Sequence, residues 1–377
     1  MLAASTEEFI SFFSEIDDPR QDGKVLYPLD EVLFLIFTAI LSCAESWDLI
    51  VDFGNNKIDF LRKFMPFKNG IPAKSTLCTI MSGLEKTALE SWFNKGFKEI
   101  TSILPEDLVA IDGKSLRGTK SFNNKTVHMV HAFATKQGLV IGQKKVSDKS
   151  NEITAIPELI DELNISNTTV SIDAMGCQKK IAKKICDKNS NYFLALKENQ
   201  EGLYKDVKTY FDNENYLSKA NFIKKTNKSH GRLEVRECWC LPIDSYLKEE
   251  HADWESLSNI VCIRRSKTIN GNTSLEKHYY ISSIQNSDAE YFLKISRDHW
   301  LVENQLHWVL DVTFNEDRCT IKKAAENMAV IRKLVLNSLK LYKKKFNIKN
   351  SMKGLRLASS WSDQSRAKII LNLGMVV

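Results

Sequence analysis

The stretch TTVSIDAMGCQKKIAKKIC, Thr168–Cys186, decides the fold. Thr168 to Ile172 is a β-branched run that ends in Asp173, and this pattern predicts a short strand. From Gln178 to Cys186 the apolar residues Ile181, Ala182 and Ile185 recur at helical spacing, so a helix follows. Tyr192 to Leu196 then predicts another strand.

Working upstream, Leu108 to Ile111 is a short apolar run ending in Asp112, and Val127 to Ala134 is a second. Leu139 to Val146 follows a Gln137-Gly138 turn and completes a hairpin. Ile153 to Leu163 has helical spacing, with Asn151 as its cap and Pro157 kinking it or lying in its first turn. Three strands, helix, strand, helix, strand require a mixed sheet covered on both faces. The class is α/β, and the order is the ribonuclease H-like one.

The flanks differ. Residues 1–104 read as a helical N-terminal domain, with Ser5 and Glu8 as a capping box and a helix-turn-helix among the arrangements open to it. DNA end binding is one function this region could carry. Residues 105–200 form the first part of the catalytic domain, and 201–287 an inserted antiparallel β subdomain in which Arg232 to Leu241 alternates. Residues 288–345 complete the catalytic domain with a helix carrying Glu303 and a basic helix, and 346–377 are a basic tail.

Val32 to Ala44 is apolar but shorter than the roughly 20 residues of a membrane span, so it reads as a buried helix, with no membrane partner. No cleavable leader pattern precedes it, and the eight cysteines include no CxxC pair. The expected location is cytoplasmic, beside the nucleoid. The formal charge of +6 is unevenly spread: from Arg318 onward fourteen basic residues face two acidic ones, +12, which leaves −6 for the rest. Such asymmetry suits a protein that touches phosphate backbones, although a solvated helix face would produce it too.

Two strand ends carry aspartate, in VAIDGKS (Asp112) and VSIDAMGC (Asp173). A strand end fixes the backbone while the side chain projects beyond it, and Gly113 and Gly176 leave room for a substrate to approach. In the expected sheet these strands are neighbours, so the two carboxylates repel unless a cation lies between them. Oxygen ligands favour Mg²⁺ or Mn²⁺. Glu303, in HWLVENQLHWVLDVTFNED (His299–Asp317), would complete a site for two ions roughly 4 Å apart. Asp311 and Asp317 compete with it for the third place. His299, Glu303, His307 and Asp311 also recur every four residues, a face that could instead hold one transition metal in a single-metal phosphodiesterase.

The segments VAIDGKSLRG, VSDKSNEITAIPELI, VSIDAMGCQKKIAKKI, NYFLALKENQ, HGRLEVRECW and HWLVENQLHWVLDVTFNED, in that order, resemble those of the H-repeat-associated DDE transposases of bacterial insertion sequences. The resemblance runs from about Asp18 to about Leu339. It implies a metal-dependent nuclease and strand-transferase acting on transposon ends and target DNA, with Asp112, Asp173 and Glu303 as the catalytic metal ligands and a homo-oligomeric synaptic complex. Transposases with a β insertion more widely carry Tyr, Arg and Lys around the glutamate, where this chain has Ser296, His299 and Leu310. A hairpin-forming step is therefore not implied. Candidate DNA contacts are Lys114, Arg117, Lys149, Asn151, His299, His307, Lys322, Lys323, Arg332 and Lys333. The remaining alternative is a domesticated or inactive relative that only binds DNA.

Overall fold

In the computed structural model, which describes residues 11–101, 107–120, 126–146, 152–229 and 231–372, the three leading strands are β1 (Leu108–Leu116), β2 (Val127–Ala134) and β3 (Leu139–Val146). A helix (Glu152–Glu162, containing Pro157), β4 (Thr169–Ile172), a helix (Lys179–Asp187) and β5 (Asn191–Leu196) follow as expected. β1 pairs antiparallel with β2 and parallel with β4, and β4 is parallel to β5. Crossover helices make the parallel pairs possible, because a parallel neighbour cannot be reached by a tight turn.

Two strand features depart from the expectation. β1 does not end at Asp112 but runs on to Leu116. Its pairing with β2 extends to Leu116↔Val127, whereas its last partner on β4 is Ile111↔Ile172. Asp112 therefore lies inside a strand, where one neighbour has stopped and the other continues.

The insertion, expected as a subdomain of its own, instead extends the same sheet. β6 (Asn221–Ser229), β7 (Arg232–Pro242), β8 (Asn259–Ile269) and β9 (Asn272–Ser282) form an antiparallel meander. β9 pairs with β5 from Phe193↔Ser282 to Leu196↔Tyr279. The result is one nine-stranded sheet, ordered β3-β2-β1-β4-β5-β9-β8-β7-β6. Joining the edge of β5 leaves no unpaired row of backbone groups in mid-molecule. β6 and the helix Glu201–Asp212 had no counterpart in the sequence reading, since Lys224, Lys225 and Lys228 obscure any apolar alternation.

The segment before β1 has helices and no strand among its described residues, with Leu29–Leu41, Trp47–Asn56, Lys74–Gly83 and Lys86–Thr101 as its main helices. Leu29–Leu41 is buried at nearly every position and packs against Ala325–Lys345, which is itself buried from Met328 to Leu339. One apolar core runs from Phe12 through β1–β5 to Ile370. The tail contributes two helices, Met352–Trp361 and Asp363–Ile370.

The basic character of these C-terminal segments proves to be partly internal. Arg332, Lys333, Arg356 and Arg366 are all at least 98% buried. Arg356 donates to the Ile40 carbonyl and pairs with Glu45, while Arg332 lies 3.8 Å from Glu316. Arg366 donates to Ser42 Oγ and Asp363. These guanidiniums join the C-terminal helices to the N-terminal ones, and their acidic and carbonyl partners offset the desolvation of a charge that arginine keeps. Among the described residues no helix is long and apolar enough to cross a membrane.

Candidate active site

Strand alternation allots side chains on β1 to two faces. Asp112 and Lys114 share one, together with His131, which stands directly across from Asp112 on β2. Gly113 and Ser115 share the other, together with His128. By register, Ser171 on β4 faces the same way as Asp112, and Asp173 follows just past the end of β4.

The first face is covered by the segment containing Glu303. The helix Ala289–His299, begun by Asp288 accepting from the Glu290 N–H, gives way to a π-helical turn over Glu303–His307 and then to a helix over Trp308–Thr313. In the π turn the Trp308 N–H reaches back five residues to the Glu303 carbonyl. The extra residue shifts the phase of the faces, and such turns recur where function demands an unusual placement. Here Leu306 stays buried while Glu303 and His307 are presented together to Asp112.

His307, 4% exposed, lies 3.0 Å by its Nδ1 from Glu303 Oε2 and 3.6 Å from Asp112 Oδ2. One ligand atom from each of Asp112, Glu303 and His307 lies within 4.8 Å of the other two. Asp173 stands outside that group but is close enough to Asp112 to act on it electrostatically. Burial pushes the Asp112 carboxyl up to about 6, eased by His307 and reinforced by Asp173 and Glu303. Burial also raises Asp173, against backbone N–H groups of Gly176 and Met175 that donate to its Oδ1. The His307 hydrogen bond holds Glu303 below the ordinary range. A group of mutually repelling, partly desolvated carboxylates with an imidazole among them is a donor set suited to a divalent cation.

Other expected residues fall elsewhere. Lys114 is buried and its Nζ lies 2.6 Å from both Asp311 oxygens and 3.7 Å from Asp317, so it ties the Glu303 segment to β1 and is not free for a phosphate. Asp311, thus engaged, is no rival to Glu303. His299 shares a hydrogen bond of 2.9 Å with Ser171, and burial with the nearby His307 pushes it down to about 4, so it is neutral near pH 7. The four residues spaced every fourth position therefore do not converge on one metal. Arg332 and Lys333, expected as DNA contacts, are internal. Arg117, Lys322 and Lys323 are exposed, with Lys322 beside the Lys120 carbonyl. Lys149 and Asn151 lie outside the described residues.

On the second face Glu152, at the start of its helix, pairs with His128 Nε2, whose Nδ1 lies 2.9 Å from Ser115 Oγ. A Cβ at Gly113 would collide with both Glu152 and His128, and one at Gly176 with Ile172. These glycines thus admit the protein's own side chains rather than a substrate. The histidines of VHMVH were missed as site residues; their signal was two imidazoles three apart in an otherwise apolar strand, which alternation sends to opposite faces.

Asp173 also borders a cleft of about 790 Å³ whose lining includes Lys197, Asn199, Tyr204, Lys277 and His278. Trp300 and Trp308, on either side of Glu303, are 60% and 57% exposed.

Comparison with known proteins bears on this geometry. The model of a transposase DDE domain matches residues 104–338, and that of a domain associated with it matches residues 10–95. The candidate transposase YncI of Escherichia coli O157:H7 is 38% identical over 348 residues, 89% of this chain and 88% of that protein. The H repeat-associated candidate transposase YhhI of Escherichia coli (strain K12) is 37% identical over 346 residues, 88% and 90% of the two chains. Among solved structures, a piggyBac transposase synaptic complex with hairpin DNA has a TM-score of 0.44 at 11% identity, covering 97% of this chain and 80% of that one.

Proposed function

Since the chain belongs to the H repeat-associated DDE transposases, we propose that it cleaves DNA at the ends of an insertion sequence and joins them to target DNA, using Asp112, Asp173 and Glu303. The observation that carries this is the convergence of Glu303 on Asp112 across nearly two hundred residues of sequence, with Asp173 at the end of the neighbouring strand. The strand order β3-β2-β1-β4-β5 supports a ribonuclease H-like catalytic sheet, with the meander β6–β9 grown from its edge.

Asp112, Asp173 and Glu303 would hold Mg²⁺ or Mn²⁺, two ions in the full site. Bound there, such ions supply charge stabilisation to the attacking and leaving oxygens of an in-line phosphoryl transfer. The chain's own part is placement. β1 and the end of β4 fix the two aspartates, the π turn presents Glu303, and the Lys114–Asp311 pair secures the covering helix to the strand. Exposed Lys120 and Lys322 meet beyond β1, with exposed Arg117, 3.7 Å from Asp317, and exposed Lys323 next to them in sequence, and Lys197, Lys277 and His278 line the cleft by Asp173. Together they suit a DNA backbone crossing the acids. Trp300 and Trp308 offer faces on which bases can stack. The same acids would serve cleavage by water and attack by the freed 3′ hydroxyl, within a homo-oligomer that brings two ends together.

Nicking of a cognate end by Asp112→Asn, Asp173→Asn and Glu303→Gln should fall about a hundredfold or more, the scale on which single electrostatic stabilisers register. Binding to the same duplex should persist in each. Full nicking in any variant removes that residue from the mechanism. A single-ion phosphodiesterase is the second reading, favoured by the compactness of the Asp112, Glu303 and His307 group. One tightly held zinc per chain in purified protein would support it.

A further inference from the structure

We propose that His307 is an inner ligand of the divalent ion held by Asp112 and Glu303, so that this site contains one nitrogen among its oxygens. The inference rests on the metal-dependent reading above and adds a ligand that the carboxylate triad lacks. Three observations support it.

First, His307 Nδ1 is directed at both carboxylates, 3.0 Å from Glu303 and 3.6 Å from Asp112, and all three ligand atoms fall within 4.8 Å of one another. An ion placed among them would need only small side-chain rotations to reach bonding distance from each. Second, the ring cannot turn away. It is 4% exposed, and its Nε2 lies 3.3 Å from Nδ1 of His131, with the rings 5.3 Å apart at 62°. A partner on the far nitrogen is the usual means of fixing a metal-bound imidazole. With an ion at Nδ1, the His307 Nε2–H donates to His131 Nδ1; the ring proton of His131 then sits on its buried Nε2, an atom with no hydrogen-bond partner in the structure. Third, the π turn serves this pairing. It sets Glu303 and His307 side by side toward β1, while Leu306 remains in the core.

The Glu152–His128–Ser115 array is closed in the second face of the sheet, and half-buried Lys340 donates to the Gln305 carbonyl and lies over Phe133.

A nitrogen ligand changes what the site prefers. All-oxygen sites suit Mg²⁺ and Mn²⁺ alike, whereas an imidazole nitrogen raises the affinity for transition ions, Mn²⁺ included, relative to Mg²⁺. His307→Gln should therefore weaken Mn²⁺ by at least the roughly ten- to a hundredfold that loss of an outer partner costs, with a smaller effect on Mg²⁺.

The test is electron-spin-echo spectroscopy of Mn²⁺ added to the full chain without DNA. Wild-type protein should show nitrogen modulation that changes on labelling with ¹⁵N-histidine and disappears in His307→Gln, while Asp112→Asn should bind Mn²⁺ weakly. His131→Phe, which keeps the ligand but removes the support behind it, should retain the modulation at reduced affinity. Bound Mn²⁺ that requires Asp112 but shows no nitrogen coupling in the wild-type chain overturns the His307 assignment alone. No binding of Mn²⁺ at all overturns both that assignment and the metal-dependent reading.

Discussion

Asp112 is the residue on which the site turns. Its carboxyl is half-buried within a strand, and desolvation holds it near 6 instead of close to 4. A carboxyl whose folded pKa is raised contributes stability that is present below its unfolded pKa and is lost as pH rises through the folded one. In metal-free protein, stability should therefore decline between about pH 4 and pH 6 through this group. Asp112→Asn should flatten that part of the profile and, at pH 7, leave the metal-free chain more stable by on the order of 2 kcal/mol. Urea unfolding across that range measures it, and saturating Mn²⁺ should reverse the ranking by stabilising only the wild-type chain. A parallel decline in both proteins would show that Asp112 is not destabilised by its surroundings. The sequence offered this residue as the end of a strand beside a glycine left open for substrate; instead Asp112 lies within its strand, and Gly113 makes room for Glu152 and His128.

Among the elements, the segment from Ala289 to Thr313 joins the acids. Its helical propensity and its tryptophans were legible, and so was Glu303 as its charged exception. The π turn was not, because one extra residue in a turn leaves no mark on apolar periodicity that a four-residue repeat does not also leave. That ambiguity produced the expected face of His299, Glu303, His307 and Asp311, which the structure distributes to Ser171, Asp112 and Lys114. Lys114 is the tie between this segment and β1. Lys114→Met keeps most of its volume but leaves the half-buried Asp311 without its partner, and it should cost about 1.5 kcal/mol in urea. Nicking should fall as well, since Glu303 rides on the released helix. Unchanged stability would show that the pair is a surface accessory.

Over the whole molecule, the concentration of charge in the last 60 residues divides into an internal and an external share. Lys322 and Lys323 face solvent, whereas Arg332, Lys333, Arg356 and Arg366 are enclosed. Replacing Lys322 and Lys323 together by Gln should reduce the dependence of DNA affinity on salt by about 0.9 per lost phosphate contact on a log–log scale, with stability unchanged. Arg332→Met should do the opposite, lowering stability without altering the salt slope of whatever remains folded. Equal salt slopes for the wild type and the double lysine variant would remove these lysines from the DNA surface. Composition could not make this division, since a guanidinium that pairs with Glu45 inside the protein counts the same as one in water.

By itself the sequence determined the alternation of strands and helices from β1 to β5, and it offered Asp112, Asp173 and Glu303 as candidate acids. Local periodicity and short-range turn chemistry specify such features wherever they occur along a chain. Tertiary structure alone decided that the insertion extends the main sheet, which basic residues are internal, and that His307 and His131 stand behind Asp112 and Glu303. Those outcomes depend on which surfaces meet after folding, and burial, ion pairing and ligand convergence are properties of residues far apart in sequence.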